Sequence, residues 1–135
     1  MFSTQRLNTF FSEMFPESGV VVESVGTRSA RMRMCISRRH LRPGETVSGP
    51  AMMELADALL HAAILGELGL EWEAVTTNLN INFLRSPLSN KDLVGHCSLI
   101  KVGRTQIVGE ANIYSDGFSE PVAHAVGTYA IPVER

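Results

Sequence analysis

Three polar side chains interrupt an otherwise apolar segment of the chain. Glu54, Asp57 and His61 follow one another at spacings of three and four residues. In a helix such spacings place all three on one narrow face. A carboxylate on such a face acts as a general base, or as a nucleophile, where apolar neighbours partly exclude water. A solvated helix face or a subunit interface would give the same pattern, so both interpretations stay open on spacing alone.

The same segment opens with Ser48-Gly49-Pro50. Proline fits the first helical position because its missing N–H would be unpaired there. The first helical turn leaves backbone N–H groups unpaired, and a glycine lets a ligand approach the backbone closely. The N–H groups of Gly49, Ala51 and Met52 are therefore candidate donors to a carbonyl oxygen that becomes negative during a reaction. Plain helix capping is the simpler interpretation of these residues.

Several elements must position this helix. Apolar spacing predicts a short amphipathic helix over residues 3–14 and a long, almost wholly apolar helix over 50–68. Alternation of apolar and polar residues predicts strands in 19–26, 29–37, 74–87 and 120–133, and a hairpin over 92–117 that turns at Val102-Gly103. The segment 37–49 is predicted to be a loop.

The order of these elements predicts one α+β domain over residues 1–135 with a largely antiparallel sheet. A helix that is apolar nearly all round must be covered nearly all round, which a curved sheet can do. Glycines inside the strand patterns, Gly95, Gly109 and Gly127, are expected where the sheet comes close to that helix.

Composition narrows the classes of partner. The formal net charge is −2, which gives no basic field for nucleic acid or an anionic membrane. Cys35 and Cys97 lie far apart without metal-binding spacing, so we expect buried, reduced thiols and no metal. The N-terminal residues lack the pattern of a signal peptide. A cytoplasmic location is therefore the default expectation.

The loop and the start of the long helix carry a family resemblance. The stretch "HLRPGETVSGP" followed by "AMMELAD" resembles the motif of hotdog-fold acyl-CoA thioesterases of the PaaI-like, phenylacetate-degradation group. His40 matches the optional first histidine, Gly49 the glycine that polarises the thioester carbonyl, and Leu55 and Asp57 the leucine and catalytic acid. The resemblance covers residues 19–133.

Four positions depart from that motif. Arg42 stands where the family often has asparagine, and Ser48 replaces a histidine. Pro50 replaces the second glycine, and the turn glycine, Gly44, comes one residue early. The stretch "TTNLNINFLRSP" resembles the family strand in which a serine or threonine near the start positions the attacking water. Thr76 is the aligned residue and Thr77 the second choice.

The resemblance implies a hotdog fold, a curved antiparallel sheet wrapped around the helix at 50–68. It implies an acyl-CoA thioesterase in which Asp57 acts as base or nucleophile and the Gly49 N–H and the helix N-terminus polarise the carbonyl. It also implies a homodimer, or a dimer of dimers, with each site between subunits, so that Asp57 meets Thr76 or Thr77 of the partner subunit. No cofactor is implied beyond the CoA of the substrate.

Further residues are candidates for substrate binding. Arg42, in a basic cluster with Arg38 and Arg39, and Arg85 could contact the phosphates of CoA, although a solvated loop explains the cluster equally well. The remaining candidates are His40, Ser48, Pro50 and Glu54.

Two other functions compete with hydrolysis. A non-catalytic protein that binds acyl-CoA or an acyl chain is the alternative left open by the departures from the motif. A hotdog dehydratase or hydratase is disfavoured because the loop lacks the paired Asp and His of that group.

Overall fold

A computed structural model of the chain describes residues 3–69 and 74–132. Within these residues, two α-helices and eight strands follow in the order α1 (Thr4–Met14), β1 (Val20–Gly26), β2 (Ser29–Met34), β3 (Leu41–Arg42), β4 (Thr46–Val47), α2 (Gly49–Leu68), β5 (Val75–Phe83), β6 (Leu93–Val102), β7 (Gln106–Ser115) and β8 (Ala123–Ala130). The long strands and both helices were predicted from the sequence. The last residue of the predicted final strand, Val133, lies outside the described residues.

Six strands form one antiparallel sheet in the order β1-β2-β6-β7-β8-β5. The inner face of this sheet packs against α2, whose side chains between Ala51 and Leu65 are mostly buried. The sheet thus wraps the helix as predicted, and the architecture is the hotdog fold. Among the described residues, no helix is long and apolar enough to cross a membrane.

Small residues let the sheet approach α2 closely. A Cβ atom added at Gly95 would lie 2.8 Å from Leu59 Cδ2, and one added at Gly109 would lie 2.6 Å from Leu60 Cδ2. Distances this short are not tolerated in a close-packed core. The glycines therefore stand where leucines of α2 press on the strands, as predicted from their positions.

Local chemistry fixes both ends of α2. The Ser48 hydroxyl accepts a hydrogen bond from the Ala51 N–H at 3.2 Å, so Ser48 is the N-cap. Helical geometry begins at Gly49, one residue before the predicted start, and Pro50 occupies the second position. The helix ends at Leu68, and Gly69 is its C-cap, with a φ of 107° that favours glycine.

The two edges of the sheet differ. At β1 the Asn8 side chain of α1 donates to the Val22 carbonyl at 2.9 Å and accepts from the Val22 N–H at 2.7 Å. This side chain occupies backbone groups that an added strand would need. At the other edge β5 carries mostly exposed residues, including Val75 and Phe83. The β5 edge is therefore the one left open for pairing.

Two sequence predictions need correction. The predicted loop over 37–49 contains a 3-10 turn at Arg38–His40 and the β3-β4 pair, because Pro43 and Gly44 allow a tight reversal between short strands. Cys97 is buried as expected, and burial raises the pKa of its thiol to about 12. Cys35 is exposed, since it follows the last paired residue of β2.

Candidate active site

One oxygen of Asp57 collects two hydrogen bonds. Asp57 Oδ1 accepts from the Thr76 hydroxyl at 3.0 Å and from the Tyr129 hydroxyl at 2.8 Å. Within the described part of the chain, no hydrogen bond goes to Oδ2. The side chain is 39% exposed. The carboxylate is thus held through one oxygen while the other is free to act on a ligand.

A β-bulge decides which threonine reaches Asp57. The register between β5 and β8 shifts between Thr76 and Asn78, so Thr77 is an extra residue in β5. An extra residue changes which face the neighbouring side chains occupy. Thr76 therefore faces α2, whereas the Thr77 hydroxyl donates to the Thr128 carbonyl. The aligned residue meets Asp57 and the second choice does not.

Tyr129 was not predicted from the sequence. It is fully buried on β8, and burial together with the neighbouring Asp57 carboxylate raises its pKa far above the usual range for a tyrosine. The hydroxyl is consequently a proton donor at any physiological pH. A signal was available, because Tyr129 continues the inward-facing series Ala123, Ala125 and Gly127 as its one large polar member.

His61 completes the polar cluster. Its Nε2 lies 3.3 Å from Thr76 Oγ1 and 3.7 Å from Asp57 Oδ1, and its ring packs edge-on against Tyr129 at 4.9 Å. Since the Thr76 proton goes to Asp57, Nε2 is the donor in the contact with Thr76. Burial lowers the pKa of His61, with a smaller opposing effect of Asp57. The imidazole is therefore neutral at neutral pH.

A cationic groove lies at the N-terminus of α2. Arg42, Gly49, Met52, Phe83 and Arg85 line this groove, which has a volume of about 380 Å³. The groove brings together three residues singled out in the sequence, Arg42, Gly49 and Arg85. Two guanidinium groups beside exposed backbone suit phosphate oxygens.

Of the three backbone N–H groups proposed from the sequence as donors, that of Gly49 remains available to a ligand. The other two N–H groups proposed from the sequence are occupied, because Ala51 donates to the Ser48 hydroxyl and Met52 to the Ser48 carbonyl. No acceptor for the Gly49 N–H occurs among the residues that the structure describes.

A second concavity, here called the aromatic pocket, lies beside Asp57. Phe11, Phe15, Val20, Ala58, Asp57 and His61 contribute to its lining, and its volume is about 130 Å³. Helix α1 and the segment after it supply the apolar wall, and α2 supplies the polar stripe.

Comparisons with known proteins agree with this geometry. The family model of the thioesterase superfamily matches residues 44–120, which include the start of α2, Asp57 and Thr76. The crystal structure of a candidate thioesterase from Silicibacter sp. is 41% identical, with a TM-score of 0.91 over 98% of this chain and 94% of that one. The chain belongs to the thioesterase superfamily. The resemblance and the enzyme class predicted from the sequence are thereby confirmed.

More distant solved structures share the fold of this thioesterase. Zebrafish thioesterase superfamily member 2 superposes with a TM-score of 0.88 at 18% identity, over 98% of this chain and all of that one (100%). A mutant form of the phenylacetic acid degradation protein PaaI from Thermus thermophilus superposes with a TM-score of 0.76 at 18% identity, over 87% of this chain and 97% of that one. No curated protein sequence matches the chain.

The remaining predicted site residues of this thioesterase lie outside the Asp57 cluster. His40 is 2% exposed, its Nδ1 accepts from the Ser37 N–H, and its Nε2 lies 3.2 Å from the Ser18 carbonyl. Both ring nitrogens therefore serve the fold rather than a ligand. Ser48 caps α2, as described above, and Pro50 is exposed beside it.

Glu54 and Arg85 are tied to neighbouring residues. Both oxygens of Glu54 accept from Arg39 Nη2, at 3.0 and 2.9 Å, at the edge of the aromatic pocket. Arg85 donates to the Pro121 carbonyl and lies 3.8 Å from Glu120. Arg42 is exposed at the other side of the cationic groove.

The contact between Asp57 and Thr76 is made within one chain. The expectation that Asp57 meets this threonine across a subunit interface was therefore wrong, because the bulge in β5 turns Thr76 toward its own helix.

Proposed function

We propose that this thioesterase hydrolyses acyl-CoA to free acid and CoA, with Asp57 as general base toward water or as nucleophile. The proposal is carried by one observation: the Thr76 and Tyr129 hydroxyls both donate to Asp57 Oδ1. Oδ2 accepts no hydrogen bond from the described residues, and the Asp57 side chain is partly exposed. A carboxylate held in this way is oriented before substrate binds, which is what general base or nucleophilic catalysis requires. An acyl-CoA binding protein that lacks catalysis has no need of such an anchored acid.

The carbonyl oxygen needs a donor, for which Gly49 is the candidate. Gly49 and Asp57 are eight residues apart on α2, and a rise of 1.5 Å per residue separates them by about 12 Å. A base and an oxyanion donor that share one carbonyl must each lie about 3 Å from the reacting atoms. One chain alone therefore does not bring Gly49 and Asp57 to the same thioester.

Pairing of two copies through β5 would bring them together. Thr76 lies at the Asp57 end of β5, and the ring of Phe83 lies 3.4 Å from a Cβ built at Gly49, at the other end. An antiparallel β5 pair centred on Leu79 places the two ends of the strand opposite each other. Asp57 then comes near Gly49 of the partner subunit. The open edge of β5 supports this homodimer, of which two could form a tetramer.

The substrate then lies across two subunits. Its CoA phosphates follow the cationic groove with Arg42 and Arg85, and the carbonyl oxygen accepts from Gly49. The attacking group comes from Asp57 of the other subunit, either as an activated water or as Oδ2 itself. With water as the attacking group, the proton that Asp57 takes from it passes to the departing CoA sulfur, and the acyl group leaves as the free acid. With Oδ2 as the attacking group, CoA thiolate is displaced and a mixed anhydride forms on Asp57; water then hydrolyses the anhydride to the free acid and the Asp57 carboxylate, and the proton released goes to the thiolate.

Release of free thiol from a panel of acyl-CoA esters tests the proposal. We expect Asp57→Asn to lower kcat by about 10²- to 10⁴-fold, the usual contribution of a positioned base. Glu67→Gln is a matched control, since Glu67 lies on the same helix but outside the site and accepts from the Arg28 N–H at 2.8 Å. Binding of acyl-CoA without turnover in the wild type would instead favour the non-catalytic alternative.

A further inference from the structure

We infer that the aromatic pocket receives the acyl group, and that α1 limits this thioesterase to compact apolar acyl groups of about six carbons. The inference rests on the proposed hydrolysis at Asp57 and adds the class of acyl group. It assigns a role in specificity to Phe11, Phe15 and Ala58.

The polarity of the two concavities orients the substrate. The cationic groove carries Arg42 and Arg85 and suits the anionic part of the substrate. The aromatic pocket has an apolar wall, and the charge of Glu54 at its edge is directed toward Arg39. Burial of an apolar acyl group is favourable only in the aromatic pocket. Asp57 lines that pocket, where the carbonyl carbon would be attacked.

The volume of the pocket sets the upper size of the acyl group. It measures about 130 Å³, somewhat less than the roughly 150 Å³ of an apolar protein cavity that accommodates benzene. A single six-membered ring or a chain of similar carbon number fills such a space, whereas a long fatty acyl chain would have to extend past Phe15 into solvent.

Two residues of the lining, Phe15 and Ala58, can change the size of the pocket without loss of the core. Phe11 is not one of them, because it is 2% exposed and packs edge-on against Phe10 at 5.5 Å, which fixes its ring. Phe15 is 54% exposed at the rim, and a smaller side chain there opens the pocket. Ala58 follows Asp57 on α2, and a larger side chain there fills the pocket.

Thiol release with acetyl-, butyryl-, hexanoyl-, benzoyl- and palmitoyl-CoA tests the inference. For the wild type we expect kcat/KM at least about tenfold higher with the four-carbon, six-carbon or ring ester than with palmitoyl-CoA. Comparison of hexanoyl- with benzoyl-CoA distinguishes a chain from a ring. Ala58→Leu should lose activity with the four-carbon, six-carbon and ring esters and keep activity with acetyl-CoA. Phe15→Ala should gain activity with palmitoyl-CoA relative to the compact esters. Phe118→Ala, at 53% exposure outside the pocket, is the matched control.

Each result decides between the two proposals. Palmitoyl-CoA cleaved as fast as the compact esters, or ester ratios unchanged in both Ala58→Leu and Phe15→Ala, would overturn the pocket assignment and leave hydrolysis intact. No thiol release by the wild type from any ester would refute hydrolysis and the pocket assignment with it. Unfolding midpoints of each variant, measured in parallel, separate a changed specificity from a damaged fold.

Discussion

Tyr129, fully buried on β8, donates a hydrogen bond of 2.8 Å to Asp57 Oδ1 on α2. This contact joins the sheet to the central helix at the carboxylate. Since the Tyr129 hydroxyl keeps its proton at physiological pH, the donor is constant over the working range. We interpret Tyr129 as a positioning residue that fixes which oxygen of Asp57 faces a ligand.

Removal of that hydroxyl should slow the chemical step. Tyr129→Phe keeps the ring in place and deletes one of the two donors to Asp57 Oδ1. Hydrogen bonds to charged groups are worth about 1.5–3 kcal/mol, so we expect kcat to fall by at least about tenfold with KM nearly unchanged. Steady-state kinetics measure this split. A lower unfolding midpoint with an unaltered kcat would give Tyr129 a purely structural role.

The two adjacent threonines provide a matched pair of variants. Thr76→Val removes the second donor to Asp57 without a change of shape, and we expect kcat to fall by at least about tenfold for the same reason. Thr77→Val removes a hydroxyl that bonds the Thr128 carbonyl on the other side of the bulge, and kcat should stay within about twofold. Equal effects of the two substitutions on kcat would contradict the placement of Thr76 in the site.

The choice between these threonines shows where sequence reasoning ended. Alternation along β5 predicted the strand and placed Leu79 and Ile81 on one face. The bulge depends on the register between β5 and β8, and the alternation of residue types does not predict it. The fold followed from the apolar periodicity of α2 and the strand patterns. The contact between Tyr129 and Asp57 joins positions 72 residues apart, which no local pattern reports.

The loop before α2 shows a second limit. The cap at Ser48 and the glycine at position 49 follow from local chemistry and were predicted. The contact between His40 Nε2 and the Ser18 carbonyl joins positions 22 residues apart, so the buried, structural place of His40 depends on packing that no local pattern shows.

His61 should make stability depend on pH. Burial lowers its pKa below the ordinary 6.5, against a smaller opposing effect of Asp57, and Tyr129 faces the same ring. Below pH 6.5 the unfolded chain takes up a proton that the folded chain does not. The contribution of His61 to stability is therefore complete above pH 6.5 and is lost as the pH falls toward the pKa of His61 in the folded state.

Chemical denaturation of the wild type and His61→Gln between pH 7.5 and 5.5 measures this effect. We expect the free energy of unfolding to fall less steeply with decreasing pH in His61→Gln, because glutamine does not titrate. Parallel curves for the two proteins would show that His61 does not carry the pH dependence.

Proline at position 49 would delete the backbone N–H that we assign to the oxyanion. Ser48 is extended, at φ −75° and ψ 153°, which is the conformation required before proline. Gly49→Pro removes the donor, and Gly49→Ala keeps the donor and serves as the control, because both variants place a Cβ atom before Pro50. We expect Gly49→Pro to lower kcat by about 10²- to 10³-fold, the effect of losing one oxyanion donor. Similar kcat values for the two variants would remove Gly49 from the mechanism.

Mixed dimers test whether one site draws on two subunits. A subunit with Asp57→Asn retains Gly49, and a subunit with Gly49→Pro retains Asp57. If Gly49 of one subunit works with Asp57 of the other, each mixed dimer contains one intact site, and random assortment restores about a quarter of wild-type activity. If both residues of a site come from the same chain, every site in the mixed dimer is defective and activity stays at the level of the single variants. Coexpression of Asp57→Asn with the double variant Asp57→Asn/Gly49→Pro is the control, because it supplies no Asp57 and so restores nothing even where dimers form.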